Sequence, residues 1–320
     1  MLLVLCVFAV VMISLSVWLT QPLFSKPQVS QTRTVDPARL QAHVQMLSVQ
    51  FAPRDQSQTE NLDRVAAYIR EQLVEAGGKI TEQPFDVEGR TYRNVIASFG
   101  PETDERIVVG AHYDAYHLFP GADDNASGVA GLIELAGLLG KIDPQLRIDL
   151  VAFTLEEPPY FHTAYMGSVV HAESLKKQGV KVRAMVSLEM IGYFSDAPDS
   201  QSFPVSVLRA LYPSQGNFIS VVGGVGDGLL VRRIKGAMRD AAPLPVYSIN
   251  APRLVPGIDF SDHLSYWNAG YSAVMITDTA FYRNHNYHTA NDTAEKLDYK
   301  RMAMVVEGVY AAVLALATTQ

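Results

Sequence analysis

The feature that most constrains the fold is an alternation of short apolar runs with amphipathic helical patterns. The runs RIVVGAHY, RIDLVAFTLEE and RAMVSLEMIGY are separated by helical stretches, and FISVVGG and SAVMITD follow later in the chain. Nearly continuous Val, Ile and Leu in such runs is typical of strands that are buried on both faces of a sheet. The alternation therefore predicts an α/β fold with helices covering a mainly parallel sheet.

Helical patterns and a hairpin surround this alternation. DPARLQAHVQML begins with an Asp cap and a proline at the first helical position, and TENLDRVAAYIREQLVEAGG ends at a Gly-Gly stop. KITEQPFDVEGRTYRNVIASFG alternates in polarity and turns at Glu88-Gly89, which predicts a β-hairpin. Further helices are predicted over 127–139, around MGSVVHAESLKKQG, over LLVRRIKGAMRDA and over 298–318. Two long connections, 196–216 and 241–257, are expected to shape a binding site.

The N-terminal segment, residues 1–24, differs in kind from the rest because it is almost entirely apolar and carries no charged side chain. A run of this length can span a bilayer core of about 30 Å. It lacks the basic start of a secretory signal and a convincing cleavage site, so we favour an uncleaved transmembrane anchor over a removed signal. Polar, proline-spaced residues 25–35 are predicted to be a linker, and residues 36–320 are predicted to form one domain.

The orientation of this anchor rests on two opposing arguments. Lys26, Arg33 and Arg39 follow the apolar segment, and the positive-inside rule alone would place that side in the cytoplasm. Export of a large folded domain behind an N-terminal anchor is nevertheless the commoner arrangement. We therefore expect the domain to be extracytoplasmic, in the periplasm or outside the cell.

Charge and cysteine content exclude some classes of function. The formal net charge is −7 and the pI is about 5.6, so the chain offers no basic stripe for phosphates and we expect no nucleic-acid partner. Cys6 is the single cysteine, so neither an intrachain disulfide nor a cysteine zinc cluster can form. The oligomeric state stays open.

Histidine and acidic residues stand where the predicted strands end. The first strand ends in His112 and Asp114, the second in Glu156 and Glu157, and the third in Glu189. Ligands bind outside the carboxyl ends of the strands in sheets of this class, so these side chains are predicted to share one crevice. His112 and Asp114 project to the same side of a strand, which suits a histidine ligand held by a carboxylate.

The stretch PGADDNASG places Asp123 and Asp124 at the mouth of an apolar helix. Either acid can simply cap that helix. Together with the strand-end glutamates, however, these acids would crowd one pocket, which Asp262 of FSDHLSYW and His288 of YHTANDT are also expected to reach. Like charges within a few Å cannot all stay ionised unless a cation offsets them. A pair of divalent metal ions, with one aspartate bridging and its neighbour orienting the loop, accounts for the whole pattern.

The ordered motifs AHYDA, PGADDNASG, TLEE followed by MGS, and NYHTANDT resemble those of metallopeptidase family 28. This family comprises zinc-dependent exopeptidases and includes bacterial aminopeptidases, glutamate carboxypeptidase and glutaminyl cyclases. SLEMIGY and FSDHLSYW also fit, so the resemblance runs from about residue 60 to the C-terminus. It implies a three-layer α/β/α sandwich with a mixed, mainly parallel sheet, two Zn²⁺ per chain and a peptide substrate.

The resemblance also implies a role for each motif residue. Asp123 is expected to bridge the two zinc ions. His112 and Glu189 complete one site, and Glu157 and His288 complete the other. Glu156 is the expected general acid/base and Asp114 holds His112, so these two are the expected catalytic residues. Asp262 and His263 are expected to lie behind the metal ligands. Water activated between the metals, with Glu156 taking its proton, would then hydrolyse the peptide bond.

Some features depart from the family pattern or stay open. Glu189 stands where many relatives have Asp, and PPYFHTAYMGS replaces a short turn, so Tyr160, Phe161 and Tyr165 could wall a substrate pocket. Tyr282 and Arg283 are candidate substrate contacts. The remaining histidines with no matching role are read as structural or surface residues: His117, His162, His171 and His285.

An N-terminal exopeptidase is favoured because no arginine cluster is clearly placed for a substrate carboxylate, although Arg253 and Arg283 lie in candidate loops. A glutaminyl cyclase-like acyl transferase and a non-catalytic receptor or scaffold are the alternatives. The complete set of expected ligands argues against both.

Overall fold

The structure is a computed structural model and describes residues 2–20 and 33–318. Its helices are α1 (Leu2–Thr20), α2 (Pro37–Gln45), α3 (Thr59–Glu75), α4 (Gly128–Leu139), α5 (Gly167–Lys177), α6 (Gly228–Ala241), α7 (His263–Ala269) and α8 (Tyr299–Thr318). Its strands are β1 (Lys79–Val87), β2 (Arg90–Phe99), β3 (Glu105–His112), β4 (Arg147–Phe153), β5 (Lys181–Leu188), β6 (Ile219–Gly223), β7 (Val246–Asn250) and β8 (Ala273–Thr277).

The strands form one mixed sheet in the order β1-β2-β4-β3-β5-β8-β6-β7. The central strands β4, β3, β5 and β8 are parallel neighbours. The predicted hairpin, β1 and β2, adds antiparallel strands at one edge, while β6 and β7 run antiparallel to β8 at the other. The carboxyl ends of the central strands therefore meet at the same end of the sheet.

Helices cover both faces of this sheet. On one face α3, α4, α6 and α8 pack against the strands around the larger apolar core, and α4 is buried along nearly its whole length. On the other face α5 and α7 enclose a smaller core that includes Phe153 and Tyr266. The predicted mixed α/β sheet between helices is thus confirmed.

Two elements lie where no element was predicted. The connection 241–257 contains β7, and the FSDHLSYW motif continues into α7. β7 has only five residues and lies at the edge of the sheet, so its sequence shows no continuous apolar run. The helix predicted over 127–139 begins at Gly128.

The apolar helices bear on the predicted membrane anchor. Within the described residues, only Tyr299–Thr318 is long and apolar enough to cross a membrane by length and composition, and 67% of that window is buried. Because α8 packs against α4 and α6, its apolar side chains belong to the core. The shorter apolar stretch Val4–Leu19 exposes side chains such as Phe8 and Ile13, but membrane insertion stays a prediction. Of the predicted linker, only residues 33–35 lie inside the described ranges.

Candidate metal centre

The strand-end residues come together as the sequence predicts. His112 ends β3, Glu189 directly follows β5, and Glu156 and Glu157 follow β4 by three and four residues. His288 lies in the loop after β8. All five side chains reach one crevice at the carboxyl end of the parallel strands because β3 lies between β4 and β5 in the sheet.

Two groups of potential ligand atoms share one residue, Asp124. The first group is His112, Asp124 and Glu189, and the second is Asp124, Glu157 and His288, with the atoms of each group within 4.8 Å of one another. Asp124 Oδ1 lies 3.4 Å from His112 Nε2, while Asp124 Oδ2 lies 3.0 Å from His288 Nε2. Each carboxylate oxygen thus faces a different group, which is the geometry of a bridging ligand.

This arrangement corrects the expectation for Asp123. The Asp123 carboxylate points away from both groups and accepts hydrogen bonds from the Gly192 amide at 3.0 Å and from Asn284 Nδ2 at 2.8 Å. The backbone explains why Asp124, rather than Asp123, faces the two groups. Gly121 has a φ of 58°, and Asp124 is near-extended at φ −105° and ψ 92°. Successive side chains on extended backbone point in opposite directions, so only one of the two acids can face the crevice.

Several buried ligand atoms in these groups lack a hydrogen-bond partner. His112 Nε2, His288 Nε2 and Glu157 Oε1 are buried and accept or donate no hydrogen bond. His288 Nε2 also lies 3.1 Å from Glu157 Oε2, but this contact lacks hydrogen-bond geometry. Buried polar atoms are normally paired, so this set fits a cation held between them. Imidazole nitrogen and carboxylate oxygen are suitable zinc donors.

The charges around the crevice also favour a bound cation. The buried carboxyl groups in and around the crevice are those of Asp114, Asp123, Asp124, Glu156, Glu157, Glu189, Asp262, Asp278 and Asp292. Arg54 and Arg283 are buried cations of the same region, and each interacts favourably with some of these acids. Burial raises the pKa of Glu157 to about 8 and that of Asp262 to about 7, and it raises the pKa of Glu156 well above its ordinary value. The protein alone therefore leaves this crowded negative charge incompletely balanced.

His112 and His288 change the pKa of Asp124, the acid that both contact. Burial opposes the charge on Asp124, but contacts with His112 and His288 outweigh it and lower the pKa of Asp124. Burial also disfavours the charged form of His288, yet Asp124 and Glu157 raise its pKa to about 10. Asp124 is consequently the member of the cluster that stays ionised most readily.

Asp114 organises the turn that carries both glutamates. Its two carboxylate oxygens accept hydrogen bonds from the Glu156 and Glu157 amides at 3.2 and 3.1 Å. Asp114 Oδ1 also lies 3.5 Å from His112 Nδ1. One buried carboxylate therefore positions residues of both ligand groups.

Glu189 and the FSDHLSYW motif meet behind the first group. Ser261 Oγ donates to Glu189 Oε2 at 2.8 Å, which fixes the longer arm that stands in place of an aspartate. Asp262 is fully buried near His112, and neither of its carboxylate oxygens has a hydrogen-bond partner. His263 is turned away, because its Nε2 lies 2.8 Å from the Ile258 carbonyl oxygen.

Contacts that hold His288 and the Asp123–Asp124 turn were not evident from the sequence. The His288 ring is stacked between Tyr116 and Tyr287, with centroid distances of 4.0 and 3.7 Å. Asp292 accepts hydrogen bonds from the Asp123 and Asp124 amides. Tyr287 and Asp292 belong to the NYHTANDT motif, so their closeness to His288 in sequence could have indicated these contacts. Tyr116 is distant in sequence and reaches His288 only in the folded chain.

The candidate substrate residues fall into different environments. Arg283 is buried, donates to the Phe218 carbonyl at 2.8 Å and lies over the Phe218 ring, so it is a structural residue and does not face the crevice. Tyr282 lines an apolar cavity beside Glu189. Tyr160 and Tyr165 pack on each other, and Phe161 packs edge-on against Phe260 at the cavity wall.

The other residues without a predicted role also have ordinary settings. His171 is buried against Tyr266, His285 is exposed, and Arg253 is an exposed partner of Asn268. His117 and His162 contact neighbouring aromatic rings.

The cavity beside Glu189 has a volume of about 110 Å³. Its walls come from the connection 196–216, the segment after β7 and the loop after β8, and its floor comes from β6 and β8. Its apolar lining residues include Phe203, Leu208, Phe218, Val222, Ile258 and Met275. The long connections thus shape a pocket, and the pocket opens next to the candidate ligands.

Comparison with known proteins identifies the family of this chain. The model of Peptidase family M28 matches residues 94–313. The uncharacterized protein YfbL of Escherichia coli K12 is 46% identical over 288 residues, which cover 88% of each chain. Leucine aminopeptidase 1 of Pyrenophora teres f. teres is 23% identical over 299 residues, covering 88% of this chain and 71% of that protein. The chain therefore belongs to peptidase family M28, and peptides are its substrates.

Solved structures share the fold. BSAP, a zinc aminopeptidase from Bacillus subtilis, superposes with a TM-score of 0.72 at 14% identity, covering 91% of this chain and 97% of that one. The glutaminyl cyclase of Bacteroides thetaiotaomicron gives a TM-score of 0.65 at 20% identity, covering 91% and 100%. At such identities the similarity shows the fold alone.

Proposed function

We propose that this protein is a zinc-dependent aminopeptidase that binds two Zn²⁺ per chain and hydrolyses the N-terminal peptide bond of peptides. The observation that carries the proposal is the pair of ligand groups joined by Asp124, with buried ligand atoms left without hydrogen-bond partners. His112 and Glu189 would hold one ion, Glu157 and His288 the other, and Asp124 both. Bound zinc would acidify a water molecule and polarise the scissile carbonyl group.

Glu156 is the proposed general acid/base. Its carboxyl group is buried and stands outside both ligand groups, with Oε2 3.8 Å from His112 Nε2. It is therefore free to accept the proton of the attacking water and to deliver it to the leaving amine. Asp114 keeps Glu156 in place through the Glu156 amide.

The apolar cavity is the proposed pocket for the side chain of the substrate's first residue. It adjoins Glu189, so a side chain in the cavity would leave the following peptide bond beside the ligand groups. Its aromatic and aliphatic walls favour a large apolar side chain over a charged one, because a charge would lose its hydration there without a partner.

Peptide digestion tests the activity directly. We expect the purified chain to release the first residue from Leu- or Phe-initiated peptides, and a metal chelator to stop the release. A peptide with an acetylated N-terminus should resist cleavage, and mass spectrometry identifies the products. Release from the C-terminus, or cyclisation of an N-terminal glutaminyl peptide without hydrolysis, would contradict the aminopeptidase assignment.

We also propose that residues 1–24 anchor the peptidase domain, residues 36–320, on the extracytoplasmic side of a membrane. The support is the uncharged apolar sequence and the exposed apolar side chains of α1, such as Val4 and Phe8. The chain should stay in the membrane fraction after alkaline washing, and protease added outside intact cells or spheroplasts should degrade the domain. Recovery in the soluble fraction, or full protection from that protease, would contradict the proposal.

A further inference from the structure

A buried arginine lies beneath the candidate metal centre and outside the family match. Arg54 precedes α3, is 1% exposed and stands before the matched residues 94–313. Arginine is almost never fully buried unless its charge and its N–H groups have partners. Its surroundings therefore identify what it does.

The guanidinium group of Arg54 is bound by backbone carbonyl groups alone. Nε donates to the Tyr113 carbonyl at 3.0 Å, and Nη2 donates to the Gly121 carbonyl at 2.9 Å. Nη1 donates to the carbonyl groups of Leu47 at 2.6 Å and Pro120 at 2.8 Å. Residues 113–121 join His112 to the Asp123–Asp124 turn, so Arg54 clamps both ends of the segment between two candidate ligands.

The charge of Arg54 lies close to the carboxylate cluster. Asp292, Asp114, Asp124 and Glu157 all interact favourably with it. Burial lowers the pKa of Arg54 to about 10, so the group stays charged at neutral pH. Gly121, which has a φ of 58°, leaves room for this approach, because a Cβ there would lie 3.0 Å from Nη2.

We propose that Arg54 is a positioning residue for zinc binding: it fixes the 113–121 segment so that His112 and Asp124 face the same point. The inference rests on the proposed function. Lysine cannot replace it, because the single nitrogen of an ammonium group cannot reach the four carbonyl groups that the three guanidinium nitrogens bind.

Zinc affinity of the variant Arg54→Lys tests the assignment. Loss of groups that orient metal ligands typically lowers metal affinity about 10- to 100-fold, and we expect a loss in that range. Competition with a chromophoric chelator measures it, and the visible spectrum of the cobalt-loaded protein should change because ligand geometry changes. Arg106→Lys is the matched control: Arg106 pairs with Asp149 at 2.9 Å, its side chain is 12% exposed, and it lies near the start of β3, at the far end of the sheet.

The outcomes separate the inference from the proposed function. Zinc affinity of Arg54→Lys equal to that of the wild type, or lowered as much in Arg106→Lys, would overturn the role of Arg54 and leave the peptidase proposal intact. A wild-type chain that binds no zinc would overturn both.

Should Arg54→Lys fail to fold, Arg54→Ala assayed with added ethylguanidinium gives a second test. Refilling the site with a guanidinium group should restore zinc affinity, while ethylammonium, which carries the same charge, should not. Equal effects of the two cations, or no effect of either, would contradict the positioning role.

Discussion

At the scale of single residues, the adjacent glutamates after β4 have carboxylates in different surroundings. Glu157 Oε2 lies 3.1 Å from His288 Nε2 and belongs to a ligand group, whereas Glu156 belongs to neither group. The TLEE motif was evident in the sequence, but the assignment of Glu156 as general acid/base and of Glu157 as metal ligand came from the family resemblance. Adjacent side chains on a turn can point apart, so each can serve a separate purpose.

Substitutions of these glutamates should separate turnover from metal content. Glu156→Gln should lower kcat by about 10²- to 10⁴-fold while keeping two zinc ions, because only proton transfer is lost. Glu157→Ala should lose zinc at one site. Metal analysis beside peptide cleavage measures both, and normal turnover with full metal content in both variants would refute the assignment.

The neighbouring aspartates give a second contrast. Asp124→Asn should lower zinc affinity at both sites, because each Asp124 oxygen faces one ligand group. Asp123→Asn should retain zinc, because the Asp123 carboxylate is bound by Gly192 and Asn284. Zinc titration of the two variants distinguishes them, and the reverse order of affinities would restore the bridging role to Asp123.

The family resemblance assigned the bridging role to Asp123, which the geometry corrects, and the sequence itself could not choose between these two aspartates. It located the acidic pair and predicted that one acid would bridge and the other orient the loop. The choice depends on the φ and ψ angles of a loop that starts at Gly121, and hydrophobic periodicity carries no information about such angles. Arg54 was missed because its role depends on contacts with residues 113–121, which are distant in sequence.

At the scale of elements, the long apolar strands and amphipathic helices were predictable, and short pieces were not. β3, β4 and β5 stand out because they are buried on both faces. β7 has five residues and α7 has seven, which is too short for a periodic pattern to emerge from the flanking loops. The apolarity of α8 alone also cannot distinguish a core helix from a membrane span.

The α5–α7 contact predicts an effect of pH on stability. His171 is buried with Nδ1 2.6 Å from Tyr266 Oη, and burial lowers the pKa of His171 to about 4. Between pH 6.5 and 4 the unfolded chain binds a proton at this histidine that the folded chain does not, so stability falls as pH falls. At about 1.4 kcal/mol per pKa unit, the loss is on the order of 3 kcal/mol.

The variant His171→Gln should lack this component of the acid sensitivity. The free energy of unfolding, measured by urea denaturation across this pH range, should fall less steeply in the variant than in the wild type. Parallel curves for the two proteins would show that His171 is not held neutral in the folded state.

At the scale of the whole molecule, metal removal should destabilise the fold. Zinc bound only by the folded chain stabilises it by about 2.7 kcal/mol at a concentration 100-fold above the dissociation constant. A chelator should therefore lower the Tm by several degrees, and restored zinc should reverse the change. Calorimetry measures both steps, and an unchanged Tm would argue against a zinc centre in the core.

The central claim is that two ligand groups joined by Asp124 form a dinuclear zinc centre. Measuring metal content together with activity tests this claim most directly. The metal-free chain should bind two zinc ions with high affinity, and removal of N-terminal residues should rise with bound zinc and reach its plateau at two per chain. A plateau at one ion, or full activity in the metal-free protein, would contradict it.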